Sequence, residues 1–192
     1  MNNNITIVDT EILSDNWYTL KKITYQGKHP DGSTFTQSRE AYDRGNGAAI
    51  LLYNKQQRTV ILTRQFRMPT YINGNPDGYL IECCAGLLDQ DNAEDCIKRE
   101  TEEETGYKVS AVKKVFEAYM SPGSVTEILH LFIAEYDKDM QVSDGGGLAE
   151  EQEHIEVLEI PFAKAVQMMN NNEIHDAKTI MLLQYAQIND LF

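Results

Sequence analysis

Four glutamates fall within eight residues, Arg99-Glu100-Thr101-Glu102-Glu103-Glu104-Thr105-Gly106, and they restrict how this stretch can fold. On an α-helix, positions i, i+3 and i+4 share a face, so Glu100, Glu103 and Glu104 stand side by side while Glu102 turns away. The surrounding residues predict a helix over Asp91–Thr105, capped by Asp91 or Asn92 and stopped by Gly106. Its like charges are crowded together, at the end where the helix dipole disfavours negative charge. The alternative is a solvated acidic face. Two local rules broken in one place are also what a functional site shows, and the charge run alone leaves both readings open. A hard divalent cation relieves both strains, and Mg²⁺ takes one or two carboxylates together with substrate phosphates.

The bulk composition agrees with a metal-assisted reading. The 192 residues hold 30 acids against 17 bases, a formal net charge of −13. Such a chain is poorly suited to nucleic acid or anionic membranes, which need a positive surface. It suits an anionic nucleotide only if bound cations supply the missing charge. Cys83, Cys84 and Cys96 show neither disulfide nor zinc spacing, so reduced thiols in a cytoplasmic protein are expected. No apolar stretch is long enough to span a bilayer, and the first residues do not read as a secretory leader.

Along the chain, Ile5–Asp9, Asn16–Gln26 and Thr34–Asp43 alternate as β-strands, with a turn at Pro30-Asp31-Gly32. After Gly45-Asn46-Gly47 the character changes to continuous apolar runs, Ala48–Tyr53 and Thr59–Thr63, expected of strands buried on both faces. A soft boundary near residue 44 therefore separates an N-terminal antiparallel β region, 1–44, from a main domain, 45–192. The first part is too small to bury its own faces and is expected to pack on the main domain or on a second subunit. Tyr79–Ala85 predicts one strand ending at Gly86. Further strands are expected at Val112–Met120, Glu127–Tyr136 and Ile155–Ile160, and helices at Phe162–Asn170 and Ala177–Ile188. Strands and helices in this order predict a mixed sheet with helices on both faces, an α/β (α+β) fold.

Residues 86–107, GLLDQDNAEDCIKRETEEETGY, resemble the Nudix hydrolase signature, G-x5-E-x7-R-E-U-x-E-E-x-G-U with U apolar. Thr101 replaces an apolar residue. The N-terminal half is one residue short, which leaves Asp91 where the signature has glutamate. The resemblance implies an α/β/α sandwich around a mixed sheet. It implies metal ligation by Glu100 and Glu104, with Glu103 beside them, joined by the backbone carbonyl of Ala85. Arg99 is then an orienting partner of the carboxylates, and Mg²⁺, or Mn²⁺ in its place, is the implied cofactor.

The segments ILSDNWYTL, REAYDRGNGAAILLYN, LTRQFR, LIECCAGLLD, YMSPGSVTEILHLFIAEY and EHIEVLEIPF resemble the GDP-mannose hydrolase branch, close to the ADP-ribose pyrophosphatases. That branch implies a homodimer in which the N-terminal strands contribute to the partner's site. It implies substrate contacts from Trp17, Arg39, Glu40, Arg67, Ala85, Gly86, Glu127 and Lys178. From the residues themselves, Arg67 can take phosphate oxygens in a fork, with Arg64 the weaker candidate. Trp17 can stack on a base. A mobile carboxylate near the metals can activate water or hold a further metal, and the glycines at 145–147 would let the acidic loop close. By its position in Glu-x-Ile-Glu-Val, Glu153 is the acid that the resemblance implies for this part beside Glu104, with Glu151 as runner-up. The implied reaction is hydrolysis of GDP-mannose to GMP and mannose 1-phosphate. ADP-ribose or another nucleotide sugar is the alternative, and a non-hydrolytic nucleotide-binding module the rival of another class.

Overall fold

The computed structural model describes residues 5–148 and 154–192. Two units emerge, Met1–Asn46 with Tyr119–Ile128, and Gly47–Ala118 with Leu129–Phe192. The segment 119–128 joins the first unit through a parallel bridge between Tyr42 and Val125 and a Tyr42 N–H bond to the Ser124 carbonyl, 2.8 Å. A boundary drawn near residue 44 did not anticipate that return. The return is held by hydrogen bonds between residues far apart in sequence, which no apolar run announces.

The first unit is an antiparallel meander of β1 (Thr6–Asp15), β2 (Thr19–Lys28) and β3 (Thr34–Asp43). The first strand runs well past the predicted Asp9, because Ile12 and Ser14 pair with Lys21 and Leu20 across register shifts. Its apolar side chains Ile7, Ile12 and Leu13 remain exposed.

The second unit holds a seven-stranded mixed sheet. Its order is β10 (Glu156–Pro161), β5 (Thr59–Phe66), β4 (Gly47–Asn54), β9 (Ile128–Glu135) and β8 (Lys113–Tyr119), with β6 (Tyr79–Glu82) on β5 and β7 (Cys84–Leu87) on β4. Pairing of β4 with β9 is parallel, whereas β4–β5, β4–β7 and β5–β10 are antiparallel. All eight residues of β4 are buried, which requires cover on both faces. Ala48, Ile50 and Leu52 pack with Cys96 and Ile97 of α2 (Ala93–Thr105). Ala49 and Leu51 alternate to the other face. There α4 (Ala177–Ile188) also meets β4, and α3 (Phe162–Asn170) packs on β5 and β10.

Two predictions for this unit need correction. The expected single strand Tyr79–Ala85 is two strands, breaking at Cys83 as the chain changes partner from β5 to β4, so Gly86 lies inside β7 rather than after it. A short helix, α1 (Met68–Ile72), follows Arg67 with proline in its first turn, and nothing in its five residues announces a helix. Helix α4 keeps its predicted bounds and buries Thr179, Leu182, Leu183 and Ala186. Tyr185 meets Phe116 edge-on at 5.4 Å.

Candidate active site

Helix α2 is fixed at both ends by its sequence. The Asn92 side-chain oxygen accepts from the N–H groups of Glu94 and Asp95, and Gly106 closes the helix at φ 77°. Thr101, the polar residue at an apolar position of the signature, is fully buried. Its hydroxyl donates to the Ile97 carbonyl at 2.6 Å, so it packs as a valine-shaped residue with no unsatisfied polar group.

The carboxylate face is set against strand β7. The N–H of Ala85 donates to Glu104 Oε2 at 3.2 Å, and Glu104 is 3% exposed. Glu100 lies over the next residue, Gly86, where an added Cβ would stand 2.1 Å from the Glu100 carboxyl carbon. Two carboxylates thereby lie over consecutive residues of one strand, one held by a backbone N–H and the other given room by the lack of a side chain. Arg99 gathers the remaining acids. Its Nη1 lies 2.9 Å from Glu100 and 3.0 Å from Glu103, and its Nε 3.6 Å from Asp91. Asp91, left without a clear part by the shortened motif, is therefore a partner of the orienting arginine. Glu102 points elsewhere, to Lys108 at 2.9 Å.

The negative end of the helix is met by backbone donors from far along the chain. Gly146 N–H bonds the Glu104 carbonyl at 2.8 Å, and Gly147 N–H bonds that of Glu103 at 3.2 Å. These glycines, read from sequence as a hinge, satisfy carbonyls that a helix otherwise leaves orphaned. An open cleft of about 410 Å³ adjoins Gly146, lined by Arg64, Tyr79, His154, Ile155 and Glu156. The acids Glu151 and Glu153 lie outside the described residues.

Hard oxygens dominate the donor set around α2. Burial pushes the Cys84 thiol far up and neighbouring Glu104 pushes it further, while burial lifts Cys96 to about 11. Neither offers a soft thiolate near neutral pH, so the chemistry favours a hard cation over a soft one. Among the described residues no three acidic, thiol or imidazole groups already form a closed cage. Mg²⁺ does not need one, because it keeps waters and takes substrate oxygens.

A second charged group joins β5, β6 and α4. Glu82 accepts from Lys178 Nζ at 2.8 Å and from Arg67 Nε at 2.8 Å, and Lys178 also donates to Asp176 at 2.9 Å. Glu82 was missed in the sequence, where a lone acid in an apolar strand carries no sign of partners this distant. Arg64, by contrast, is taken up by Asp77 and Glu156 and stacks over Tyr79 at 4.2 Å.

Trp17, Arg39, Glu40 and Glu127 all belong to the first unit. Trp17 is 85% exposed, edge-on to Tyr18. Arg39 donates to the Ser38 carbonyl and to Gln37, and Glu40 sits opposite Lys22 in the β2–β3 register. Glu127 pairs with Arg44 at 3.7 Å, and Arg44 covers the Tyr18 ring at 5.5 Å. Sequence reading passed over Arg44, which has no motif around it.

The NUDIX domain family matches residues 43–183. The chain belongs to the Nudix family. Residues 4–42 match a second family, described as the GDP-mannose pyrophosphatase NudK N-terminal domain. Nudix relatives named GDP-mannose pyrophosphatase are similar nearly end to end. That of Yersinia enterocolitica is 58% identical over 96% of this chain and 95% of its own. Those of Salmonella typhimurium and Cronobacter sakazakii are 54% and 53% identical over 100% of this chain and 99% of theirs. A crystal structure titled an ADP compounds hydrolase superposes with a TM-score of 0.69 at 16% identity, over 96% of this chain and 95% of that one, which supports the Nudix fold. The chain is thus a Nudix hydrolase, an α/β enzyme with a mixed sheet and a small N-terminal antiparallel sheet. Among the described residues, no helix is long and apolar enough to cross a membrane.

Proposed function

We propose that this enzyme hydrolyses the pyrophosphate of GDP-mannose, giving GMP and mannose 1-phosphate, with Mg²⁺ or Mn²⁺ held at Glu100, Glu103, Glu104 and the Ala85 carbonyl. The observation that carries the substrate is likeness to GDP-mannose pyrophosphatases over the whole chain, the N-terminal 4–42 included. When bound, the cation neutralises the diphosphate and polarises its phosphorus. The protein's own part is positional. Ala85 N–H and the bare Gly86 keep Glu104 and Glu100 in place, and Arg99 restrains Glu103 and Asp91. Arg67 and Lys178 bind phosphate oxygens, and Glu127, Arg39, Glu40 and Trp17 take the nucleoside and sugar. A glutamate of the loop, Glu153 ahead of Glu151, accepts the proton of the attacking water as the phosphoanhydride bond breaks in line.

The enzyme works in the cytoplasm as a homodimer whose N-terminal strands reach the partner's site, a reading supported by the exposed apolar side chains of β1. The test is a panel of nucleotide sugars, with released phosphomonoester measured in Mg²⁺ and in Mn²⁺. GDP-mannose should have the highest kcat/KM and yield equal amounts of GMP and mannose 1-phosphate. Preference for ADP-ribose would move the substrate assignment, and binding without product in either metal would remove the hydrolytic one.

A further inference from the structure

Arg67 is held unusually firmly for a side chain that is 39% exposed. Its N–H donates to the Gly78 carbonyl at 2.7 Å, and its own carbonyl accepts from Thr70 and Tyr71 at the start of α1. With the backbone fixed on both sides, Glu82 fixes the guanidinium through Nε. Among the described residues its four terminal N–H groups make no hydrogen bond. The carboxylate that does this is only 4% exposed. Burying it would be costly for a surface arginine alone, because a buried ion pair rarely returns its desolvation cost in stability. Its other oxygen takes Lys178, itself 13% exposed and bound to Asp176, the residue that caps α4. An ammonium has three donors, and two of those on Lys178 are taken, leaving one.

We infer that Glu82 is a positioning residue: its single buried carboxylate aims the free edge of Arg67 and the remaining donor of Lys178 at the same diphosphate. The inference rests on the proposed pyrophosphatase reading. The two cations come from elements distant in sequence, and although Asp176 also holds Lys178, only Glu82 touches both. Glu82 ties the end of β5 to the first turn of α4 and sets the separation of the two donors. Such preorganisation matters because a clamp that must find its geometry on each encounter loses part of its binding advantage.

The test is a double-variant cycle on the full-length enzyme with GDP-mannose and Mg²⁺, using Arg67→Ala, Glu82→Gln and their combination. Glu82→Gln should lower kcat/KM by about 10–100-fold, the range seen when an outer partner of a site residue is lost. In the Arg67→Ala background the same change should cost several-fold less than in the wild type, since only Lys178 remains for it to misplace. Losses that multiply in the double variant, or a glutamine variant with wild-type kcat/KM, would overturn the inference. If the glutamine variant does not fold, Glu82→Asp replaces it in the cycle; it keeps the charge but cannot span both cations. A wild-type enzyme inactive on GDP-mannose and on every other nucleotide sugar would instead bring down the underlying reading, a different result from an active enzyme indifferent to Glu82.

Discussion

The Glu100 carboxyl occupies the space that a side chain at Gly86 would take, 2.1 Å from where its Cβ would stand. Substituting alanine there forces the Glu100 carboxyl aside while leaving the sheet pairing of Ala48 with residue 86 in place. Gly86→Ala should lower kcat/KM by about 10–100-fold and raise the Mg²⁺ concentration for half-maximal rate. A magnesium titration of the variant reads both, and an unchanged titration curve would count against Glu100 as a ligand.

Glu104 is the deeper carboxylate, and a glutamine can still accept the Ala85 N–H that holds it. Glu104→Gln should therefore keep its circular dichroism spectrum and melting temperature while kcat falls by about 100-fold or more, as when a key electrostatic group is removed. Turnover near the wild-type rate in magnesium would show the site to be elsewhere.

Gly106 turns the chain at φ 77°, and a Cβ on it would stand 2.1 Å from the Ser143 carbonyl oxygen. Gly106→Ala combines a strained left-handed residue with that clash, costing about 1–3 kcal/mol or somewhat more. For a chain of this size the melting point should drop by roughly 2–4 °C per kcal/mol, a shift that differential scanning calorimetry resolves.

Trp17 is the sole tryptophan, so its fluorescence reports on one place. Adding GMP or GDP-mannose without metal should quench it saturably. Trp17→Ala should raise KM about tenfold or more, given roughly 1–3 kcal/mol for a base stacked on an aromatic ring. Mixing inactive Glu104→Gln subunits with Trp17→Ala subunits should restore substrate affinity if the N-terminal strands serve the partner's site. Recovery absent from exchanged mixtures, with a monomer by light scattering, would speak against the shared site.

The Glu82 cluster also predicts an acid dependence. Burial alone pushes this carboxyl up, but Lys178 and then Arg67 outweigh it and hold the group below its ordinary range. A depressed folded value stabilises fully above the unfolded pKa, about 4.3, and the contribution disappears as pH falls through the folded value. Melting temperatures measured from pH 7 down to 3 should decline less in Glu82→Gln than in the wild type. Parallel declines would mean that this carboxyl does not carry the linkage.

The sequence was most legible where local chemistry decides the outcome. Asn92 and Gly106 delimit α2 as a capping residue and a stop should, and helices α3 and α4 begin and end where the 3.6-residue pattern places them. It was least legible where partners are remote. The apolar run Tyr79–Ala85 gives no hint that it changes neighbours at Cys83, because either neighbour demands the same side chains. Asp91 became intelligible only as a partner of Arg99, and Glu82 only beside Lys178, ninety-six positions later. The three glycines before the acidic loop suggested motion, yet two of them are backbone donors to the helix end, a role that leaves no mark in composition.

That backbone cap has a bearing on how the enzyme is made. Helix α2 carries its own Asn92 cap and Gly106 stop, but the carbonyls of Glu103 and Glu104 acquire their partners only when Gly146 and Gly147 have been synthesised. A nascent chain stalled before that point carries the whole signature motif with its last turn still open to solvent. The last turn of α2 is thus capped only by residues translated well after the helix's own sequence is complete.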